Sequence, residues 1–403
     1  MGDLLGHVWP PQFSQAILFG VLLLAGLLAG EAVRRFLALP RIVGYALAGV
    51  ALGPRVSGLL GVEVLQAARV FVDLSIGLIV FELGFRLDFD WLKRNRWLFA
   101  TALAESLFSF VAIYAALRYF DFRPLIAAAA AAIGTATSPA VVMMVAREQR
   151  AEGQVTERML LFTALNCMIG YLLLTLILPW VHLEHQTDWM EALWRPLYLL
   201  VGSALAGYLA SFALLRLAAW IGKREDAQFV LLVAMIVLVV GTARALDLSV
   251  MVAVVVFGLL AHNLDARRAL LPLRIGAAGQ LFFVALFVLT GANLEFGGFG
   301  AVALAAMAFV VVRFLAKGLA LIVFAPLSGL RPGGGGLVAL ALLPMSGLSV
   351  TMLQDTAALY AGFGAELASV VLPAIAILEL LGPLATQYAL QRANESHPET
   401  QDK

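Results

Sequence analysis

The sequence predicts an all-α polytopic membrane protein with about thirteen transmembrane helices, and three observations support this fold class. The 403 residues are 62% hydrophobic and only 13% charged, whereas a soluble domain has roughly 25% charged residues. The mean hydropathy is +0.94, and the apolar residues fall in runs near the ~20 residues that a helix needs to cross a bilayer. These runs are continuous, whereas the strands of a membrane β-barrel would alternate over stretches of about ten residues.

Taken in order, the predicted spans form an extra first helix and two sets of six. The first helix covers 14–36; no Lys or Arg precedes it, so it lacks the basic leader of a cleaved signal peptide and is expected to be retained. The first set lies within 40–220, and its spans are 40–54, 66–83, 97–118, 124–146, 157–181 and 194–220. The second set lies within 226–391, and its spans are 226–245, 248–262, 276–293, 299–324, 335–358 and 366–391. Residues 392–403 are expected to be a short disordered tail, so the function must reside in the membrane domain, residues 1–391.

The distribution of Lys and Arg predicts the orientation, because these residues collect in cytoplasmic loops. With the N-terminus outside, nineteen of the 27 Lys and Arg fall on the inner side, six fall on the outer side, and two lie inside a span. We therefore expect a protein of the plasma (inner) membrane with its N-terminus outside and its C-terminus in the cytoplasm.

Composition and motifs also exclude several classes of function. The single cysteine rules out an internal disulfide framework, and the net charge of +1 indicates no particular partner. The sequence contains no phosphate-binding loop, no nucleophile motif and no metal-ligand spacing. We therefore expect no enzymatic activity, no cofactor, no nucleotide-binding domain and no nucleic-acid partner; the lipid bilayer is the evident partner.

Two spans contain helix-breaking residues near their middles. Residues 134–140 read GTATSPA and residues 343–349 read LPMSGLS, and proline in a helix interior removes a hydrogen bond of the ladder. Each break alone is compatible with an ordinary proline kink. Two broken helices, one in each half, are typical of secondary transporters built from inverted repeats, in which half-helix ends hold the substrate. The polar residues at the breaks are therefore candidate ligands: Thr135, Thr137, Ser138 and Ser346.

Charged residues inside spans are the next candidates. Arg313 lies one turn before Lys317, at a depth where a cation is costly. Arg313 either reaches the membrane surface with its long side chain or is neutralised inside the protein. For Lys317, either a carboxylate compensates the charge, or the lysine releases its proton easily and is a candidate proton carrier. Four carboxylates within spans are candidate proton or charge partners: Asp73, Glu82, Glu105 and Glu379.

These carboxylates differ in the roles that their positions favour. Glu82 precedes Arg86 by one turn, so the two can pair. We interpret Glu82 and Glu379 as structural or gating residues. Glu105 lies deeper in its span, and its position leaves a structural and a proton-carrying role equally open.

Five short motifs, in order, resemble the monovalent cation:proton antiporter superfamily. LPRIVGYALAGVALGPRVSGLL (39–60) is similar to the opening of the cation:proton antiporter-2, Kef-like branch, and LIVFELGFRLDFDWLKRNRW (78–97) to the next helix and basic loop, with a Phe-Glu-x-Gly element also typical of sodium/proton exchangers. GTATSPAVV resembles the family's unwound crossing helix, FVLTGANLE (287–295) its FVxxGxxLD element, and AKGLA (316–320) the segment with its intramembrane lysine. The resemblance covers nearly the whole chain.

The resemblance implies a sodium/proton antiporter-like fold with two crossed discontinuous helices. It also implies a homodimer in which a mobile core domain moves like an elevator and exchanges sodium or potassium for protons. Lys317 then matches the family lysine, and no metal other than the transported cation is expected. The ion-binding helix is the span 157–181, where relatives carry Asp-Asp, Asn-Asp or Gln-Asp and the second residue binds the cation and the proton alternately.

The chain departs from the family at this position. Asn166 matches the first residue of the pair, but Cys167 replaces the aspartate, and a thiol is a soft ligand that suits sodium poorly. Three hypotheses remain open. The protein is a cation/proton antiporter whose carboxylate has moved to Glu105 or Asp73, a same-fold transporter of an anion or neutral solute, or a non-transporting membrane scaffold.

Overall fold

The chain folds almost entirely into α-helices in the computed structural model, which describes residues 15–185, 189–265, 270, 277–293, 302–330, 333–357 and 361–397. The helices of the first half are α1 (Gln15–Leu37), α2 (Arg41–Leu52), α3 (Val62–Phe85), α4 (Phe89–Arg94), α5 (Arg96–Tyr119), α6 (Pro124–Thr135), α7 (Pro139–Glu148), α8 (Gln154–His185) and α9 (Trp189–Ile221). Those of the second half are α10 (Glu225–Ala245), α11 (Val250–Asn263), α12 (Ala277–Ala292), α13 (Ala303–Phe324), α14 (Gly334–Ala341), α15 (Gly347–Ala357) and α16 (Ala361–Arg392), with a short 3-10 helix at Ala325–Ser328.

The predicted fold class is confirmed: each predicted apolar segment coincides with one helix or with one broken pair. Within the described ranges, nine helices, counting the pair α6 and α7 as one, are long and apolar enough to cross a membrane. Three shorter apolar helices accompany them, Arg41–Leu52, Val250–Asn263 and Gln280–Ala292. A total of thirteen crossings, and the division into repeats at 40–220 and 226–391, stay predictions.

Many large apolar side chains point outward, as a bilayer requires. On α9, Leu205, Leu209 and Phe212 are about half exposed, and Trp220 is 84% exposed. A soluble protein rarely leaves contiguous apolar surface of this extent to water. The exposed apolar surface is therefore the surface that lipid covers.

The described chain divides into two compact units. The smaller unit comprises residues 1–75 and 275–294, and within it α2 packs against α1 and α12. This packing depends on glycine, because a Cβ at Gly49 would collide with the carbonyl oxygen of Val288. Ser75 at the boundary donates its hydroxyl to the Phe282 carbonyl, 2.9 Å away.

The larger unit comprises residues 76–274 and 295–403. Its most buried candidate span is the broken segment formed by α6 and α7, in which 89% of an 18-residue apolar stretch is buried. The alanine-rich α6 lies in an apolar core that also includes residues of α5, α13, α15 and α16, among them Ile113, Phe309, Leu353 and Leu367. Alanine allows this close packing of helices because its side chain is small.

Candidate functional site

The two broken helices meet inside the larger unit. Helix α6 ends at Thr135 and α7 begins at Pro139, while α14 ends at Ala341 and α15 begins at Gly347. The backbone N–H of Ser138 donates to the Pro344 carbonyl at 2.9 Å. The two breaks that the sequence predicts are thus present, and the structure brings them into direct contact.

Side chains at the breaks reinforce this contact. The hydroxyl groups of Ser138 and Ser346 are hydrogen-bonded to each other, and the Thr137 hydroxyl donates to the Leu342 carbonyl at 3.2 Å. Ser138 Oγ also accepts a hydrogen bond from Val141 N at 3.4 Å, so it caps the N-terminus of α7. Three of the predicted break ligands, Thr137, Ser138 and Ser346, are therefore already joined across the crossing.

Arg313 holds the carbonyl ends of both half-helices. Its Nε donates to Gly134 O at 2.6 Å and its Nη2 to Ala136 O at 2.9 Å. On the other break, Nη1 donates to Leu343 O at 2.7 Å and Nη2 to Leu342 O at 3.4 Å. The side chain is fully buried, so the interpretation that it reaches the membrane surface is wrong. A helix end leaves its last carbonyls without partners and carries a partial negative charge, and the guanidinium supplies both donors and charge.

Lys317 lies one turn further along α13 and forms a buried ion pair with Glu105 of α5. The two side chains are 1% and 0% exposed. Lys317 Nζ also donates to Thr135 O at 3.1 Å, the last helical carbonyl of α6. Of the predicted partners of Lys317, Glu105 is the one that the structure places in contact with it.

A short hydrogen-bond chain connects this ion pair to α8. Ser106 Oγ lies 3.4 Å from Glu105 Oε2 and donates to Asn166 Oδ1 at 2.9 Å. The Asn166 amide nitrogen in turn donates to Thr137 Oγ1 at 3.4 Å. All four residues are buried, so carboxylate, hydroxyl and amide oxygens from α5, α8 and the first break converge in one place.

Cys167 occupies the next position on α8. Its side chain is fully buried, and Sγ donates to the Thr137 carbonyl at 3.0 Å. A thiol that donates its proton to a carbonyl is neutral, so this position adds no negative charge to the site. Among the residues that the structure describes, the charged side chains bonded to the breaks or to this hydrogen-bond chain are Arg313, Lys317 and Glu105.

The remaining predicted acids lie elsewhere. Glu82 pairs with Arg86 at 2.9 Å and with Arg147, which ties α3 to the end of α7. Asp73 belongs to the smaller unit and is half-buried. Glu379 of α16 is 3% exposed and bonds to none of the other candidates in the described part of the chain.

Two contacts of the predicted residues were not predicted from the sequence. Ser106 bridges Glu105 and Asn166, and the signal for it was a small hydroxyl residue directly after an intramembrane acid. Arg147 pairs with Glu82, although in the sequence it is one of several basic residues in a loop. Sequence spacing predicts neither contact, because Ser106 and Asn166 lie 60 positions apart and Glu82 and Arg147 lie 65 positions apart.

The arrangement places oxygen ligands beside a buried ion pair. Glu105, Ser106, Asn166 and Thr137 offer hard oxygen ligands of the type that sodium and potassium prefer, and Lys317 is a proton-carrying group in direct contact with the carboxylate. A cation that takes the carboxylate must displace the ammonium. A cation on the carboxylate would therefore leave Lys317 without its counter-charge.

Comparisons with known proteins agree with the geometry. A family model described as "Sodium/hydrogen exchanger, transmembrane" matches residues 19–389. A structure of the sodium/proton antiporter MjNhaP1 from Methanocaldococcus jannaschii at pH 8 is 18% identical, covers 94% of this chain and 95% of its own, and has a TM-score of 0.64. An electron-microscopy structure of the same antiporter is 18% identical, covers 94% and 98%, and has a TM-score of 0.68. These structures show that the two proteins share a fold.

Proposed function

Because the chain belongs to the sodium/hydrogen exchanger family, we propose that it exchanges a monovalent cation, Na⁺ or K⁺, for protons across the membrane, with Glu105 as the carboxylate that binds the cation. The observation that carries this proposal is the buried ion pair between Glu105 and Lys317 at the end of α6. It supplies the negative charge that Cys167 does not.

The coupling follows from the cost of a buried charge without a partner. When a cation binds Glu105 with oxygen ligands from Ser106 and Asn166, the ammonium of Lys317 loses its counter-charge. An isolated buried ammonium is costly, so Lys317 releases its proton. One cation then enters as one proton leaves, and the total charge of the site is unchanged. Return of a proton to Lys317 restores the ion pair and expels the cation.

The mobile core domain lies within the larger unit. Glu105, Lys317 and the two breaks all belong to that unit, so a core built around them can carry its bound ion without breaking the site. We place the protein in the plasma (inner) membrane as a homodimer in which this core alternately faces the two sides by an elevator motion. Each broken helix supplies ends that face the ion without an intact helix having to unfold.

Proton flux in proteoliposomes with an internal pH dye tests the proposal. Sodium, potassium and lithium are added in turn to the parent protein, to Glu105→Gln and to Lys317→Ala. We expect cation-driven proton movement in the parent and none in either variant. The matched control is Glu157→Gln, since Glu157 is an exposed carboxylate on α8; this variant should match the parent. Full exchange in Glu105→Gln would show that another group binds the cation.

One observation favours a second candidate function, a transporter of the same fold that carries an anion or a neutral solute. Cys167 is neutral, and the N-termini of α7 and α15, where Ser138 and Ser346 meet, carry partial positive charge. A parent protein that moves no proton with any cation, but whose thermal stability rises with a small anion, would support this alternative. A protein that neither moves protons with a cation nor is stabilised by a small anion would support the scaffold hypothesis.

A further inference from the structure

A buried carboxyl group that belongs to neither ion pair, Glu105–Lys317 or Glu82–Arg86, lies outside the candidate site. Glu379, on α16, is 3% exposed. Neither Oε1 nor Oε2 has a hydrogen-bond partner among the residues that the structure describes. Over the same part of the chain, no other carboxylate is both buried and without a partner. Glu105 is buried to the same degree but is paired with Lys317.

Apolar core residues flank Glu379 on its helix. Its neighbours on α16, Ile375 and Leu378, belong to the hydrophobic core together with Met345 of the second break. Helix α16 packs against α6, α7, α13, α14 and α15. Of these, α6 and α14 carry no charged residue, so the charges on the packed elements come from α7, α13 and α15.

Each charged group on α7, α13 and α15 is paired with another group or is partly exposed. Arg313 donates to the break carbonyls, Lys317 pairs with Glu105, and Arg147 pairs with Glu82. Asp355 of α15 is exposed, and Glu148 of α7 is half-buried. No cation therefore compensates a charge on Glu379 within the described structure.

The position of Glu379 connects it to the crossing. Residues three and seven positions later lie on about the same face of a helix, and these are Gly382 and Thr386. A Cβ at Gly382 would come within 2.6 Å of Pro344, and the Thr386 hydroxyl donates to the Ala341 carbonyl at 3.1 Å. The face of α16 that carries Glu379 is thus packed on the end of α14 and on the second break.

An ionised carboxylate in apolar surroundings and without a donor is strongly disfavoured, whereas the neutral acid is tolerated. We propose that Glu379 is a second proton-binding site, which holds a proton in this conformation, and that a ligand attached to it blocks transport by immobilising the second break. The blocking of transport rests on the proposed function; the bound proton does not. The class of ligand that this site takes is a lipophilic carbodiimide. Such a reagent enters apolar environments and reacts there with a carboxylic acid.

The reaction distinguishes Glu379 from Glu105. The acid proton moves to one carbodiimide nitrogen as the carboxyl oxygen bonds to the central carbon, which gives an O-acylisourea. Transfer of the acyl group from oxygen to nitrogen then yields a stable N-acylurea, and no atom is lost. Glu105 is ion-paired with Lys317, so an O-acylisourea formed on Glu105 would be attacked by the neighbouring lysine amine, which gives a Glu105–Lys317 amide and releases the urea instead of leaving an N-acylurea.

The experiment treats the full-length protein in liposomes with dicyclohexylcarbodiimide and locates the adduct by peptide mass spectrometry. We expect an adduct on Glu379, none on Glu105, and none on Glu379 with a water-soluble carbodiimide. Glu366→Gln, a change in a half-buried carboxylate on the same helix that pairs with Arg123 at the surface, should label as the parent does. Absence of an adduct on Glu379, or an adduct on Glu105 alone, would overturn the proposal.

Two further measurements do not depend on the adduct. The infrared spectrum of the parent should contain the carbonyl band of a protonated carboxyl that is missing in Glu379→Gln; identical spectra would overturn the bound proton. Cation-driven proton flux should fall in proportion to the labelled fraction, and unchanged flux at full labelling would overturn the block. A parent without any flux would contradict the proposed function while the labelling and the spectrum still report on Glu379.

Discussion

At the scale of single residues, the site depends on the pairing of Glu105 with Lys317. The sequence marked both as ionisable residues inside spans, because charges at that depth are rare and costly. The sequence could not show that the two residues pair, because 212 positions separate them and Asp73 was an equal candidate for the carboxylate of the site. The choice of Glu105 depends on the packing of α5 against α13, which no local pattern encodes.

The first prediction concerns the energy of this ion pair. Glu105→Gln removes one partner, so Lys317 either stays charged without a counter-charge or loses its proton, and breaking a buried pair in this way typically costs about 3–5 kcal/mol. The double variant Glu105→Gln/Lys317→Met removes both charges and should recover most of the lost stability without recovering transport. Thermal unfolding in detergent measures both effects.

The matched control for that prediction is Glu366→Gln. Its partner Arg123 lies 2.7 Å away, but both side chains are partly exposed. Such pairs contribute roughly 0–1 kcal/mol, so the control should unfold close to the parent. If Glu105→Gln unfolds at the same temperature as this control, the buried pair does not stabilise the protein.

At the scale of elements, the two helix breaks were predictable and their contact was not. Pro139 and the sequence around Pro344 interrupt the helical ladder wherever they occur, so the boundaries at Thr135 and Ala341 follow from local chemistry. Arg313 was ambiguous in the sequence because its role depends on carbonyls from two segments, 29 to 179 positions away. Only the crossing of the segments gives one side chain four acceptors.

The second prediction concerns Arg313→Lys. An ammonium keeps the charge but cannot reach four carbonyls with the planar fork of a guanidinium. Buried carbonyls left without donors should cost about 1–3 kcal/mol, and exchange should be lost because the breaks are no longer held together. Thermal unfolding and proton flux give the two readouts. The control is Arg118→Lys, a change in an arginine that is exposed at the end of α5 and donates to one carbonyl, Phe122 O; a loss in this variant as large as in Arg313→Lys would contradict the account.

The third prediction concerns the start of α8, the helix that carries Asn166 and Cys167. The Glu395 carboxylate accepts hydrogen bonds from Val155 N at 2.9 Å and Thr156 N at 2.8 Å, so it caps this helix from the far end of the chain. The sequence predicted a disordered tail from 392; the segment up to 397 is instead ordered against the helix, and 398–403 lie outside the described residues.

Glu395→Ala should therefore cost about 0.5–2 kcal/mol, the usual effect of losing a helix cap. Hydrogen exchange should become faster in the first turn of α8, at residues 154–158, and remain unchanged in α9. Glu152→Ala is the control, because Glu152 is exposed and its backbone, not its side chain, contacts Glu395. Equal protection of the first turn in the parent and in Glu395→Ala would rule out the cap.

At the scale of the whole molecule, composition alone predicts the membrane fold, because 62% hydrophobic residues in long runs have no soluble arrangement. The two compact units could not be predicted, since the smaller one joins residues 1–75 to 275–294. That union depends on the packing of α2 against α12, where Gly49 allows close approach. The orientation stays a prediction from the distribution of basic residues.

The fourth prediction concerns this orientation. In a Cys167→Ser background, Gly2→Cys should react with a membrane-impermeant maleimide in intact cells, and Asp402→Cys should react only after the cells are opened. The physical reason is the excess of Lys and Arg in the loops assigned to the cytoplasm. Labelling of Asp402→Cys in intact cells, with Gly2→Cys protected, would show the opposite orientation.

The measurement that tests the central claim most directly is cation-driven proton flux in proteoliposomes for the parent protein and for Cys167→Asp. We predict that sodium or potassium drives proton movement in the parent, because Glu105 and Lys317 already form a site in which a cation can replace a proton. A silent parent together with an active Cys167→Asp variant would contradict the claim, since it would show that exchange requires the carboxylate that this chain lacks.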